Sequence, residues 1–96
     1  MRSYRLTPAA RRDLSGIWDF TKERWDAGQA EKYLTEIQAA IERIAADPDR
    51  GRACDEIRPG YHRYSIGSHL VFFTVSSDTV DVVRTLHQRM DPTRHL

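Results

Sequence analysis

The chain has 96 residues, 40% hydrophobic and 30% charged, with a formal net charge of +1. That length can bury one core, so a single domain over residues 1–96 is expected, and no apolar run approaches the roughly 20 residues of a membrane span. The small net charge does not advertise a strongly basic nucleic-acid face, and no direct sequence-specific nucleic-acid binding is expected.

Ser3-Tyr-Arg-Leu6 alternates polar and apolar side chains as a short strand does. Thr7 then suits a helix N-cap and Pro8 the first helical position, where its missing N–H costs nothing. Ala10, Leu14, Ile17, Trp18, Thr21 and Trp25 recur at three- and four-residue intervals. They predict an amphipathic helix with Arg11, Arg12, Asp13, Asp19, Lys22 and Glu23 mostly on its outer side.

Asp26 is a second N-cap candidate, with Gln29 three residues on. Ala30, Leu34, Ile37, Ile41 and Ile44 form the next stripe, which Asp47-Pro48 ends. So short a link makes the two helices an antiparallel hairpin.

Residues 48–55 are charged and turn-forming, which predicts a loop. The period then changes to two. Residues 61–66, 69–75 and 79–86 read as strands separated by Gly67-Ser68 and Ser76-Ser77-Asp78. The expected fold class is α+β, in the order β-α-α-β-β-β, with the helical hairpin packed on a small, mainly antiparallel sheet.

Thirteen of the 15 cationic residues are arginine, and only Lys22 and Lys32 are lysine. Planar guanidinium groups suit bidentate pairing with carboxylates or phosphates. The last segment, residues 84–96, holds Arg84, Arg89 and Arg94 against Asp91 alone. Cys54 is the lone cysteine and the four histidines show no His-x-His or helical i, i+4 spacing, so neither a disulfide nor a metal site is expected. No glycine-rich phosphate loop or nucleophile elbow is present, and no cofactor is implied.

Arg63, His69, Arg84 and His87 lie on three successive strand-like runs and have the residue types that RNA cleavage requires. Strand parity argues against their convergence. Arg84 is in phase with Val80, Val82 and Leu86, and His87 with Asp81, Val83 and Thr85, so the two leave opposite faces unless a bulge intervenes. A binding surface asks less of the residues, and Trp18, Phe20, Trp25, Tyr61 and Tyr64 supply more aromatic surface than a small core absorbs.

Tyr4-Arg-Leu6, Ala9-Ala10-x-x-Asp13-Leu14-x-x-Ile17-Trp18, Ala30-x-x-Tyr33, Ile44-Ala-x-x-Pro48, Gly67-Ser68-His69-Leu-Val-Phe-Phe73 and Arg84-x-Leu86-His87-Gln88-x-Met90-Asp91 run through the whole chain. In this combination the sequence resembles the ParE toxins of bacterial toxin–antitoxin systems. The resemblance implies the RelE/ParE-type fold, a neutralising ParD-type antitoxin, and poisoning of DNA gyrase without an active site. It also offers an alternative, the ribosome-dependent mRNA endonucleases of the RelE type. Those carry a lysine- and arginine-rich cluster, whereas both lysines here sit in the helices and His69 stands where the nucleases tend to carry arginine.

On this reading the expected gyrase contact is Arg84, His87, Gln88, Arg89 and Met90. The expected antitoxin contact is Trp18, Trp25, Arg58, Tyr61, Arg63 and Tyr64. The opening residues lack the apolar stretch of a signal peptide, so a cytoplasmic location is expected.

Overall fold

The computed structural model describes residues 3–96. The chain runs through β1 (Ser3–Leu6), α1 (Pro8–Arg24), α2 (Ala27–Ala46), a short 3-10 turn (Pro48–Arg50), β2 (Arg52–Ala53), β3 (His62–Ile66), β4 (His69–Val75), β5 (Thr79–His87) and a second 3-10 turn (Pro92–Arg94). Both helix starts form as their residues dictate. The Thr7 side chain accepts the Ala10 N–H at 3.1 Å and the Asp26 carboxylate accepts the Gln29 N–H at 2.8 Å.

The sheet order is β1-β5-β4-β3-β2, with β1 parallel to β5 and every other pair antiparallel. One strand departs from expectation. Arg52–Ala53, inside the segment read as a loop, pairs with His62 and Arg63 of β3 and becomes the sheet edge. Two residues carry no periodicity, so only their hydrogen-bonding neighbour reveals them as a strand.

The helical hairpin covers one face. Ile37, Ile41 and Ile44 of α2 and Ala10 and Ile17 of α1 pack on Val71, Phe73, Val80 and Val82. Each such isoleucine contributes about 2 kcal/mol relative to an exposed position. The opposite face carries a smaller cluster of Phe72, Leu86 and Cys54, with Ile57, Tyr61, Leu70 and Leu96 against it. Cys54 is fully buried there, and burial pushes its thiol above the ordinary range, which suits a packing residue.

A register shift between Phe72 and Phe73 leaves Val83 of β5 without an opposite number: Phe72 faces Arg84 while Phe73 faces Val82. This bulge corrects the expected parity. Arg84 stays in phase with Leu86 on the second-cluster side but not with Val80 and Val82, which point to the helices. Thr85 and His87 move to the helix side instead. Among the described residues no helix is long and apolar enough to cross a membrane.

Candidate functional site

The end of β5 extends past its pairing with β1, and α1 takes over as its neighbour. There the Arg84 guanidinium grips Asp13 of α1 through two bonds of 2.8 Å, Nε to Oδ2 and Nη2 to Oδ1. Asp13 also accepts the Thr85 N–H at 2.9 Å, and Arg84 Nη1 donates to the His95 carbonyl at 2.9 Å. Both side chains are mostly buried, so this is a fork-to-fork pair in a weakly screened environment. It holds the Arg84 guanidinium above its already high range.

Arg84 is therefore committed inside the molecule, anchoring the tail to α1. Asp13, expected on the outer side of α1, turns inward because the guanidinium compensates its charge.

His87 lies directly opposite His69 on β4, with ring centroids 5.3 Å apart and planes at 82°. His87 Nδ1 accepts the Arg89 N–H at 3.1 Å. His69 Nδ1 lies 2.6 Å from Tyr33 Oη, and that hydroxyl also accepts the Ser68 N–H at 3.2 Å and lies 3.3 Å from the Ile66 carbonyl. Gly67 makes this approach possible: its φ is +56°, and a Cβ there would stand 2.7 Å from Tyr33 Oη. Burial first, and the neighbouring His87 second, lower the pKa of His69, while burial raises that of the Tyr33 phenol. Both shifts favour the neutral forms of His69 and Tyr33 near neutral pH.

Arg63, His69, Arg84 and His87 do not share one face. Arg63 and Arg84 both oppose Phe72, from β3 and β5, and flank it on the second-cluster side. His69 and His87 oppose each other on the helix side. Among the described residues no group of three or more His, Cys, Asp or Glu side chains is placed to hold a metal.

A groove runs along the helix side of this end of the sheet. One part is lined by Phe20, Trp25, Gln29, Tyr33, His69 and His87, and it continues past Arg12, Ile17, Thr85 and Met90. Phe20, Trp25 and Met90 are 64%, 67% and 37% exposed, and all three border this groove. Thr85 is buried in its wall with a hydroxyl that has no hydrogen-bond partner among the described residues. Three large apolar side chains left in water around one depression are the mark of a docking surface.

The expected contact sets are divided by the fold. Of the tail residues, His87 and Met90 line the apolar groove, Gln88 lines a depression on the opposite face, Arg89 is exposed and Arg84 is the internal anchor. Trp25 caps the end of α1 on the groove, while Trp18 is half-buried outside it. Tyr64 packs on the main core and Tyr61 on the second cluster, so they face opposite ways; Arg58 is exposed and Arg63 half-buried. Tyr33, Thr85, Arg50 and Arg52 join these surfaces without being among the expected site residues. In the sequence Tyr33 figures only through the Ala30-x-x-Tyr33 motif.

The model of the ParE toxin of type II toxin–antitoxin systems matches residues 4–92. The chain belongs to the ParE toxin family. It is 58% identical over 94 residues to Toxin ParE1 of Mycobacterium tuberculosis, covering 97% of this chain and 96% of the relative. It is 43% identical to Toxin ParE1 of Caulobacter vibrioides over 96 residues, 100% of this chain and 99% of the relative. In structure it resembles a chain of the chromosomal ParDE toxin–antitoxin system of P. aeruginosa, with a TM-score of 0.79, 19% identity and coverage of 91% and 96%. That likeness shows the ParE fold, with its helical hairpin over a sheet whose last strand carries the tail.

Proposed function

We propose that this ParE-family chain arrests growth by binding DNA gyrase, and that a ParD-type antitoxin silences it by occupying the apolar groove. The observation that carries this reading is the gathering of Phe20, Trp25 and Met90 around one groove beside the tail. Aromatic and methionine side chains left in water favour a protein partner, whose apolar anchors desolvate them.

In this reading the gyrase contact is made by His87, Gln88, Arg89 and Met90, and Arg84 fixes their position through Asp13. An amphipathic antitoxin segment lies over Trp25 and Phe20 near Trp18. A wrapping partner that reaches the β3 side meets Arg58, Tyr61, Arg63 and Tyr64, where acidic side chains pair with the arginines. The toxin acts in the cytoplasm, where its target works.

Binding alone suffices for a poison that stalls resealing of cut DNA, and the residues support binding better than catalysis. His69 resists protonation, and Arg63 stands on the other face of the sheet. His69 and Arg63, two of the four residues from which a cleavage site would be drawn, are thus kept apart. The test is a supercoiling and cleavage assay with purified gyrase and folded toxin. Inhibition with trapped cleaved DNA is expected, and its absence overturns the reading. Loss of messenger RNA during arrest, abolished by His87→Ala, would instead mark a RelE-type ribonuclease.

A further inference from the structure

The face of the sheet away from the helices carries a second depression of opposite character. Arg50, Arg52 and Arg63 border it, with Tyr64, Ser65 and Gln88 as neutral hydrogen-bonding groups and Leu70 as an apolar one. Arg52 and Arg63 are directly opposed on antiparallel strands, where like charges destabilise the sheet. Among the described residues neither has a carboxylate within ion-pair distance, and Arg50 has only a loose 4.0 Å approach to the exposed Asp47. Two arginines of the sheet are instead compensated by close carboxylates, Arg5 by Asp81 and Arg84 by Asp13. Here the fold sets three together against their mutual repulsion, which an anionic ligand would relieve.

We propose that the groove bounded by Arg50, Arg52 and Arg63 binds the phosphate backbone of a nucleic acid strand without cleaving it. Guanidinium forks with serine and glutamine side chains are the groups that contact phosphate oxygens and sugars, and they carry no base specificity. An acidic peptide fits less well, because the exposed apolar anchors it would use lie on the other face, around Phe20, Trp25 and Met90. Neither a histidine nor a carboxylate lines the groove, and Tyr64 is its single acid–base group, so no acid and base are paired there and the strand is expected to stay intact. This goes beyond the proposed function and needs neither gyrase nor antitoxin. An antitoxin segment reaching Arg63 would displace the strand.

The test is fluorescence anisotropy of the purified full chain with labelled 12-nucleotide poly-dT and poly-rU over a salt series. Both strands are expected to bind, to be recovered intact, and to weaken as salt rises. Arg52→Glu and Arg63→Glu should each weaken binding at least tenfold and lower the salt slope by about 0.7 for each phosphate no longer neutralised. Arg11→Glu on the exposed side of α1 makes the same charge change and should leave affinity within twofold. Circular dichroism verifies folding, and Arg52→Lys should restore most of the binding to an intact sheet edge. Equal weakening in Arg11→Glu, cleavage of the strand, no binding at low salt, or equally good competition by a glutamate-rich peptide of matched charge would each overturn the proposal.

Discussion

The two faces of this sheet solve the problem of an incomplete surface in opposite ways. On the helix side, α2 buries six of its residues but α1 only Ala10 and Ile17, so the end of α1 leaves Phe20 and Trp25 in water above an apolar groove. On the other side the cluster around Phe72 and Leu86 is smaller, and at the β2–β3 edge Arg52 and Arg63 have no carboxylate within ion-pair distance among the described residues. Unburied apolar area calls for a protein partner, and uncompensated charge calls for an anion. One 96-residue chain thus presents two chemistries that a single surface would confuse. The clamp between Arg84 and Asp13 ties the faces together, because the guanidinium starts on one side and ends against a helix on the other.

Breaking that clamp should have the largest effect. Asp13→Ala leaves Arg84 mostly buried without its partner and the Thr85 N–H without its acceptor, and should cost about 3 kcal/mol by urea unfolding. A destabilisation under about 1 kcal/mol would mean that the faces are held independently.

The helix-side groove is tested next. Trp25→Ala and Phe20→Ala should each weaken antitoxin binding by about 2 kcal/mol in calorimetry while moving folding stability by less than about 0.5 kcal/mol. Affinity unchanged in both variants would remove the groove from the antitoxin interface.

Thr85→Val sharpens the same comparison with a smaller effect. It replaces a buried hydroxyl without a partner by a methyl group of similar size, so stability should rise by about 1 kcal/mol. A fall would show that the hydroxyl is satisfied in solution.

The smallest effect is on pH. The folded state holds His69 below its ordinary value, so below about pH 6.5 the unfolded chain takes up more protons than the native one. The His69 contribution to stability is therefore present at neutral pH and declines as pH falls through the window below 6.5. His69→Gln should flatten the urea-midpoint profile between pH 7.5 and pH 5, and an unchanged slope would assign the dependence to other groups.

Much of the fold was readable in advance because it is written in local chemistry. Thr7 with Pro8, Asp26, and the isoleucine stripe from Ile37 to Ile44 each act through neighbours within a few residues, so their spacing announces the hairpin. The short strand 52–53 was not readable, since its pairing partners His62 and Arg63 lie beyond the Cys54–Tyr61 loop. The bulge at Val83 was not readable either, and it shifted Thr85 and His87 to the helix side. The candidate site suffered most. Trp18 and Trp25, on one expected stripe, parted company, and the tail residues were shared between two faces.

The amino-acid order alone determined the helical hairpin, the three long strands and the apolar stripes that join them, because caps and periodicities are properties of adjacent residues. Only the folded chain decided which charges stay uncompensated. Asp13 found Arg84 across 71 positions, while Arg52 met Arg63 and, among the described residues, no carboxylate within ion-pair distance. Charge compensation depends on distances through space, and a net charge of +1 averages those distances away.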